Sequence, residues 1–451
     1  MPSTICMPPS GAIARRAYLK YLGAGMLAAG AAGAAWYLYG AFPRSQITET
    51  SATTSETSIR SSLTPRTTPS GNLYDAPDPK RVGTDVTVAA YYLTSWGEKT
   101  VYAKGRSEDL SIGTNFHPML RPYEVNSSGT YDSGNPKVAD WHIKWALEHG
   151  ISVLVPFWMW SEGSWEKKFE QGFLKSKYLS LIRFAMNYSY IDPTYMAPTD
   201  STRKAFDYIA QHYFPHPSYF RFVNRPVVFF YQAHICANSL GLQTLEMLTN
   251  LMRTTASQHG YDIFLVGDVM NNDWYPSMNK DLPKFFDAVT SYNMPDAGST
   301  TIQNHTYHGK TAKYFCIAPY DRMVDGYVSL TGKWQSYARN SGSRIIPPLC
   351  PGFNNSLLFD LGFDDWIFQR TNPSPESFAE MCRRAEPYVD PDLNLVVMEG
   401  WNEIHEESIL EPMSEIGFNY ADAVRDTFGL GDRSSWPPNV YPTKDGIREY
   451  A

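Results

Sequence analysis

From residue 85 onward, short apolar or β-branched segments alternate with amphipathic ones. The short segments predict eight strands, at 86–92, 151–158, 179–186, 226–231, 262–268, 288–293, 344–351 and 394–401. The amphipathic segments predict helices at 137–149, 164–176, 202–213, 239–259, 323–341, 375–389 and 420–427, with a shorter helical piece at 282–286. Strands that alternate with helices favour a parallel sheet, and eight such units predict an α/β fold of the (β/α)₈ TIM-barrel type. An open doubly wound sheet is the alternative, although no G-x-G-x-x-G segment follows the first strand.

The chain before residue 83 has a different pattern. Residues 14–20 read A-R-R-A-Y-L-K and precede an apolar stretch over 21–42, which resembles a twin-arginine export signal. The stretch is long enough to cross a bilayer, so both a cleaved signal and an uncleaved membrane anchor remain open. Residues 43–82 are rich in Ser, Thr and Pro and predict a disordered linker. The predicted organisation is therefore a signal or anchor helix at 1–42, the linker, a catalytic domain at 83–432 and a tail at 433–451.

The composition of the chain argues against several kinds of binding partner. The 451 residues carry a formal net charge of −7, which gives no electrostatic basis for nucleic-acid binding. No G-x-x-x-x-G-K-[ST] loop is present, which argues against nucleotide chemistry. The five Cys include no C-x-x-C pair, so a structural zinc site is not expected, while disulfide pairing and oligomeric state remain open. We expect an exported protein on the extracellular side, either secreted or held to the membrane by its N-terminal segment.

Polar and aromatic residues follow the predicted strands. In a (β/α)₈ barrel the carboxyl ends of the strands meet at one mouth, where active sites lie. Each of these residues taken alone could be a packing residue, but together they predict an aromatic, acidic cleft that binds carbohydrate. The candidate substrate-binding residues of this kind are Tyr91, Tyr92, Trp96, Trp158, Tyr231, Asp268, Tyr292 and Asn293.

The eighth predicted strand continues into the densest group of candidate residues. Residues 393–412 read L-N-L-V-V-M-E-G-W-N-E-I-H-E-E-S-I-L-E-P, an apolar run followed by acids and a Trp. Paired carboxyl groups beside an aromatic surface suit glycoside cleavage, because one acid donates a proton while the other accepts one. The alternative is a solvated acidic loop without chemistry.

The segment W-N-E-I-H-E-E-S-I-L-E-P resembles the signature of the endo-α-mannosidase family, glycoside hydrolase family 99, and of its 99-like relatives. Y-D-S-G-N-P at 131–136, I-I-P-P-L-C-P-G-F-N-N at 345–355 and the opening A-A-Y-Y-L-T-S-W at 89–96 resemble the same family, so the resemblance spans about 85–430. It implies that Glu403 and Glu406 are catalytic. Glu403 would act as the base on the sugar 2-hydroxyl, and Glu406 as the acid and then the base of a retaining reaction through a 1,2-anhydro sugar.

The resemblance also extends the candidate substrate-binding set. The added residues are Asp132, Trp401, Asn402, His405 and Glu411. The segment departs from the family pattern at Ile404, which replaces a Trp, at Glu407, which replaces a Gly, and at the pair Ser408-Ile409. Those departures leave the sugar and its linkage open. Ile404 and Glu407 also motivate one alternative, a non-catalytic glycan-binding or cell-surface protein. A second alternative, a glycosyltransferase-type role in surface polysaccharide assembly, comes from the resemblance to 99-like proteins, and no nucleotide-binding segment supports it. No cofactor is expected, and no metal, since Glu403-x-His405-Glu406 lacks the H-E-x-x-H spacing.

Overall fold

The computed structural model describes residues 74–97, 115–125, 129–159, 165–189, 198–271 and 279–450. The predicted signal or anchor at 1–42, and the predicted linker up to residue 73, lie outside the described residues. Within the described ranges, no helix combines the length and the hydropathy that crossing a bilayer requires.

Eight parallel strands form a central barrel. They are β1 (Thr87–Tyr92), β2 (Ile151–Met159), β3 (Met186–Ser189), β4 (Arg225–Phe230), β5 (Phe264–Asp268), β6 (Ala288–Thr290), β7 (Arg344–Ile345 and Pro348–Leu349) and β8 (Leu395–Met398). Each strand pairs with the next along the chain, and β8 pairs with β1. The prediction of a (β/α)₈ barrel is confirmed.

Strand β7 closes the barrel in two halves. Its first half pairs with β6 through Arg344 and Ala288, and its second half pairs with β8 through Pro348 and Val397. Ile346 and Pro347 separate the halves, and Pro347 has no N–H to donate to a strand ladder. Since β7 joins β6 to β8, the sheet has no free edge at this point, and the open-sheet alternative is excluded.

Helices connect the strands on the outside of the barrel. They are α1 (Pro136–Glu148), α2 (Trp165–Gln171), α3 (Pro198–His212), α4 (Ala233–Leu240), α5 (Leu242–Gln258), α6 (Tyr320–Asn340), α7 (Ser356–Leu361), α8 (Pro375–Ala385) and α9 (Asn419–Phe428). A 3₁₀ turn, Leu282–Phe285, stands between β5 and β6. Alternate strand residues face two separate cores, because side chains along a strand point to opposite faces. One core fills the barrel, and the larger one lies between the barrel and the helices.

The third strand lies further along the chain than predicted. We predicted it at 179–186, but Leu179–Leu181 is a 3₁₀ turn, and only the short strand Arg183–Phe184 lies wholly within that range. The barrel strand β3 is Met186–Ser189, whose polar residues resemble a loop in sequence. Its polar residues, Asn187 and Ser189, are nevertheless buried.

Several segments add to the barrel. Residues 74–82 pack against it, with Trp141 Nε1 donating to Tyr74 O at 3.1 Å and the Ala76 side chain buried. At the other end of the chain, the strands Val440–Thr443 and Gly446–Glu449 form a hairpin that accepts a bond from Trp145 Nε1.

An unpredicted hairpin, Ile302–Tyr307 and Lys310–Pro319, pairs with the strand Ile367–Thr371. Its two-residue turn, His308–Gly309, has positive φ at both positions. A turn of this type is a hairpin signal that the sequence contained.

Candidate active site

The catalytic candidates lie on an arch, residues 399–411, that follows β8. Asn402–Glu403 pairs with Ser408–Ile409, and a 3₁₀ turn, Ile404–Glu406, joins them. At the base of the arch, Gly400 has φ +58°, and an added Cβ would lie 2.0 Å from Ser408 O. The arch therefore needs a glycine at its base. Glu403 and Glu406 are both buried within it.

Glu407 stands at the position where the family pattern has a glycine. Glu407 ends the 3₁₀ turn with φ +54°, a left-handed conformation that glycine adopts freely. Its carboxylate accepts a bond from Asn115 Nδ2 at 2.6 Å. The departure from the family pattern thus keeps the backbone of the arch and adds a polar contact at its rim.

The arch is held against the segment that follows β1. Asn402 Oδ1 accepts from Leu93 N at 2.7 Å, and Asn402 Nδ2 donates to Leu93 O at 2.9 Å. Trp96 Nε1 donates to Asn402 O at 3.2 Å. The ring of His405 stacks on Trp96 with centroids 4.7 Å apart, and burial lowers the pKa of His405 to about 3. His405 is therefore neutral at ordinary pH.

Four aromatic rings form a layer at the inner end of the barrel. They are Tyr91, Phe157, Tyr231 and Tyr292, from the ends of β1, β2, β4 and β6. Tyr292 lies 5.2 Å from Tyr91, 4.9 Å from Phe157 and 5.4 Å from Tyr231, measured between ring centroids. This layer is the floor of the candidate site.

The floor touches the carboxyl groups of the arch. Tyr292 OH donates to Glu403 Oε2 at 3.4 Å. Burial raises the pKa of Tyr231 well above its usual value, and the negative charges of Glu406, Asp268 and Glu403 add to that rise. Tyr231 therefore stays protonated, and the hydroxyls of Tyr231 and Tyr292 can act as hydrogen-bond donors beside the two acids.

Asp268, at the end of β5, fastens the floor. Its Oδ2 accepts from Gln232 N at 2.8 Å and its Oδ1 from Tyr292 N at 3.1 Å. These bonds tie the segments that carry Tyr231 and Tyr292. Burial raises the pKa of Asp268, while His234 and the two amides oppose the rise.

Glu399 is a buried acid that our sequence reasoning did not single out as a site residue. It immediately follows β8 and is buried. Tyr327 OH donates to its Oε1. Burial raises the pKa of Glu399 well above its usual value, and hydrogen bonds from Cys350 and Tyr327 oppose that rise. The signal was available, because Glu399 immediately follows the apolar run of β8.

The structure brings some of the predicted residues together and separates others. Tyr91, Tyr231, Asp268, Tyr292, Glu403 and Glu406 meet at the barrel mouth, with Trp96 and His405 stacked beside them. Asn293 follows Tyr292, and its carbonyl accepts from Ser291 Oγ. Asp132 lies before α1, where its carboxylate caps a turn at Gly134 and pairs with Lys168 at 3.2 Å.

The remaining predicted residues face away from the barrel interior. Tyr92, Trp158 and Trp401 belong to the core between barrel and helices, and Trp158 Nε1 donates to Tyr213 OH. Glu411 is fully buried and bonds His142 and Tyr131. Asn402 bonds backbone atoms and Tyr131.

Within the described ranges, the structure contains neither a cluster of metal ligands nor a disulfide bond. Among the described residues, no three His, Cys, Asp or Glu side chains lie close enough to hold one metal ion. Cys236, Cys316, Cys350 and Cys382 are buried free thiols.

A family model described as glycosyltransferase WbsX matches residues 187–424, which is more than half of the chain. The chain belongs to the WbsX glycosyltransferase family. The matched part of this family member runs from β3 to α9, and includes the arch with Glu403 and Glu406.

Two solved structures resemble this chain in fold at low sequence identity. A protein described as glycoside hydrolase-like has a TM-score of 0.53 at 18% identity, covering 80% of this chain and 98% of that one. The GH99 endo-alpha-mannosidase from Bacteroides thetaiotaomicron has a TM-score of 0.49 at 15% identity, covering 76% of this chain and 96% of that one. The first likeness shows that this chain and that protein share a fold. None of the curated proteins matches the chain.

Proposed function

We propose that this WbsX family member is a glycoside hydrolase that cleaves an α-linked, mannose-containing glycan with Glu403 and Glu406. The observation that supports the proposal is the position of both acids. They lie on one arch at the barrel mouth, against a floor whose Tyr292 hydroxyl bonds Glu403 and whose Tyr231 is close to the charge of Glu406. Two carboxyl groups in different surroundings suit an acid and a base.

In the first step, Glu403 takes the proton of the sugar 2-hydroxyl. The freed oxygen attacks the anomeric carbon, the glycosidic bond breaks, and Glu406 gives its proton to the departing oxygen. The product is a 1,2-anhydro sugar. In the second step, Glu406 takes a proton from water, which attacks the anomeric carbon. The bond from that carbon to O2 breaks, and Glu403 returns its proton to O2. Two inversions give net retention.

The contacts around the acids assign roles to their neighbours. The Tyr292 hydroxyl, as a donor to Glu403, favours the ionised form that a base needs. His405, neutral because it is buried, adds no positive charge beside the pair. Aromatic rings of the floor offer apolar faces to a pyranose ring.

Transfer to a sugar acceptor is the second candidate, and the family description favours it. The same 1,2-anhydro sugar would then be opened by an acceptor hydroxyl in place of water, with Glu406 taking the acceptor's proton. Hydrolysis and transfer share the first step, so one experiment separates them.

The test is a digest of α-linked polysaccharides by the full-length chain, with products identified by mass spectrometry, with and without added sugar acceptors. We expect shortened chains from the wild type and none above background from Glu403→Gln or Glu406→Gln. Glu415→Gln is the matched control, because Glu415 is partly exposed and bonds His117 at the rim. Products extended by the acceptor would favour transfer. Glycan binding without any product, in wild type and variants alike, would favour a binding protein.

We also propose that residues 14–42 export the chain and either are removed or anchor it in the membrane. The support is the paired Arg15 and Arg16 before an apolar stretch. An exported location suits an enzyme whose substrate is a surface or extracellular glycan.

A further inference from the structure

The two ends of the catalytic arch meet at one hydroxyl group. Tyr131 precedes α1 and is fully buried. Its hydroxyl accepts from Asn402 Nδ2 at 3.0 Å and donates to Glu411 Oε2 at 2.8 Å. Asn402 immediately precedes Glu403, and Glu411 stands at the far end of the arch, so a single side chain bonds both ends.

Backbone bonds close the same loop at its base. Glu411 N donates to Trp401 O at 2.8 Å, and Leu410 N donates to that oxygen at 3.0 Å. These bonds bring the ends of the arch together, and the bonds between Asn402 and Leu93 hold its first limb against the segment after β1. The Tyr131 side chain comes from another part of the chain, so its hydroxyl relates the arch to the body of the barrel.

The acceptor of the Tyr131 hydroxyl is itself fixed. His142 Nε2, from α1, donates to Glu411 Oε1 at 3.0 Å. The other ring nitrogen of His142 bonds the hydroxyl of Tyr92, on β1, at 2.9 Å. Glu411, His142 and Tyr92 are all buried. A buried, fully bonded network of this kind holds its members rigidly.

We propose that Tyr131 is a positioning residue that fixes Glu403 and Glu406 over the aromatic floor by bonding both ends of the arch. The expected effect of Tyr131 on turnover rests on the proposed function, but its effect on the rigidity of the arch does not. The hydroxyl is engaged by Asn402 and Glu411 on the protein side, so it acts through the arch and without touching the sugar.

The test compares Tyr131→Phe with Tyr178→Phe. Tyr178 is a matched control, because it is also buried and its hydroxyl also has two partners, Ala76 O at 2.7 Å and Asp78 Oδ1 at 3.1 Å. Each change removes one hydroxyl and leaves the ring. We expect both variants to fold with similar small decreases in Tm.

The two variants should differ in the arch. Tyr131→Phe should speed hydrogen exchange of the amides of residues 402–411 by about tenfold or more, and Tyr178→Phe should not. Tyr131→Phe should also lower kcat by about 10- to 100-fold with KM within about twofold, since a small misplacement of catalytic groups slows chemistry. A substrate-binding role would instead raise KM.

The readouts separate the two proposals. Unchanged exchange and unchanged kcat in Tyr131→Phe overturn the positioning role. If the wild type cleaves no glycan, the proposed function fails, and the exchange measurement alone decides the positioning role. If Tyr131→Phe does not fold, Glu411→Gln takes its place. Glu411→Gln should show the same faster hydrogen exchange of the amides of residues 402–411. Exchange as slow as in the wild type would overturn the inference.

Discussion

Acidification should weaken the fold through His405. Burial against Trp96 lowers the pKa of this imidazole to about 3, whereas an exposed histidine in the unfolded chain titrates near 6.5. Between these values the unfolded chain binds the proton and the folded chain does not. The stability contributed by His405 is therefore present above about pH 6.5, and it is lost as the pH falls from there toward 3.

The magnitude follows from the size of that window. Lowering the pH from 7 to 5 crosses about 1.5 pH units below the unfolded pKa, while the folded pKa of about 3 is not reached. Each unit corresponds to about 1.4 kcal/mol, so the free energy of unfolding should fall by about 2 kcal/mol through this group alone. The ring is buried, so solvent screening reduces this figure little.

Urea unfolding of the wild type and of His405→Phe, at pH 7 and pH 5, isolates the contribution. Phe keeps a ring against Trp96 and cannot take up a proton. We expect the variant to lose about 2 kcal/mol less than the wild type between the two pH values. His308→Asn is the control, because His308 is exposed. Equal losses in wild type and His405→Phe would refute a neutral, buried His405.

Three further changes test other parts of the account. Burial raises the pKa of Glu399, so the stability that this group contributes is full below about pH 4 and falls as the pH rises. In urea unfolding, Glu399→Gln should therefore lose less stability than the wild type between pH 5 and pH 8. An equal loss would contradict this. Gly400→Ala should abolish turnover of the digested glycan, because its Cβ would lie 2.0 Å from Ser408 O; normal kcat would show that the arch tolerates the side chain. Replacing Arg15 and Arg16 together by Lys should keep the chain in the cytoplasm on cell fractionation, and unchanged export would exclude a twin-arginine signal.

The sequence predicted the positions of strands and helices better than it predicted which side of a strand each side chain lies on. Tyr91 and Tyr92 are adjacent and equally aromatic, but Tyr91 points into the barrel and Tyr92 points out to His142. Phe157 and Trp158 divide in the same way, and the inward residue is the one that we did not predict. Alternation along a strand is a strong rule, but its phase depends on the register with neighbouring strands.

Local pattern also could not reveal the network behind the arch. The bonds that join Glu411 to His142 and Tyr131 connect residues separated by 269 and 280 positions. Such contacts exist only once the barrel has closed and brought β1 beside β8. The arch itself, by contrast, was recognisable, because its motif of acids, Trp and Asn is contiguous in the chain.

The central claim, that Glu403 and Glu406 cleave a glycosidic bond with retention, is tested most directly by ¹H NMR of the full-length chain acting on α-mannosyl fluoride. The account predicts that the wild type releases α-configured mannose first, and that Glu403→Gln releases none above the rate in buffer. A β-configured first product, or a wild-type rate in Glu403→Gln, would contradict it.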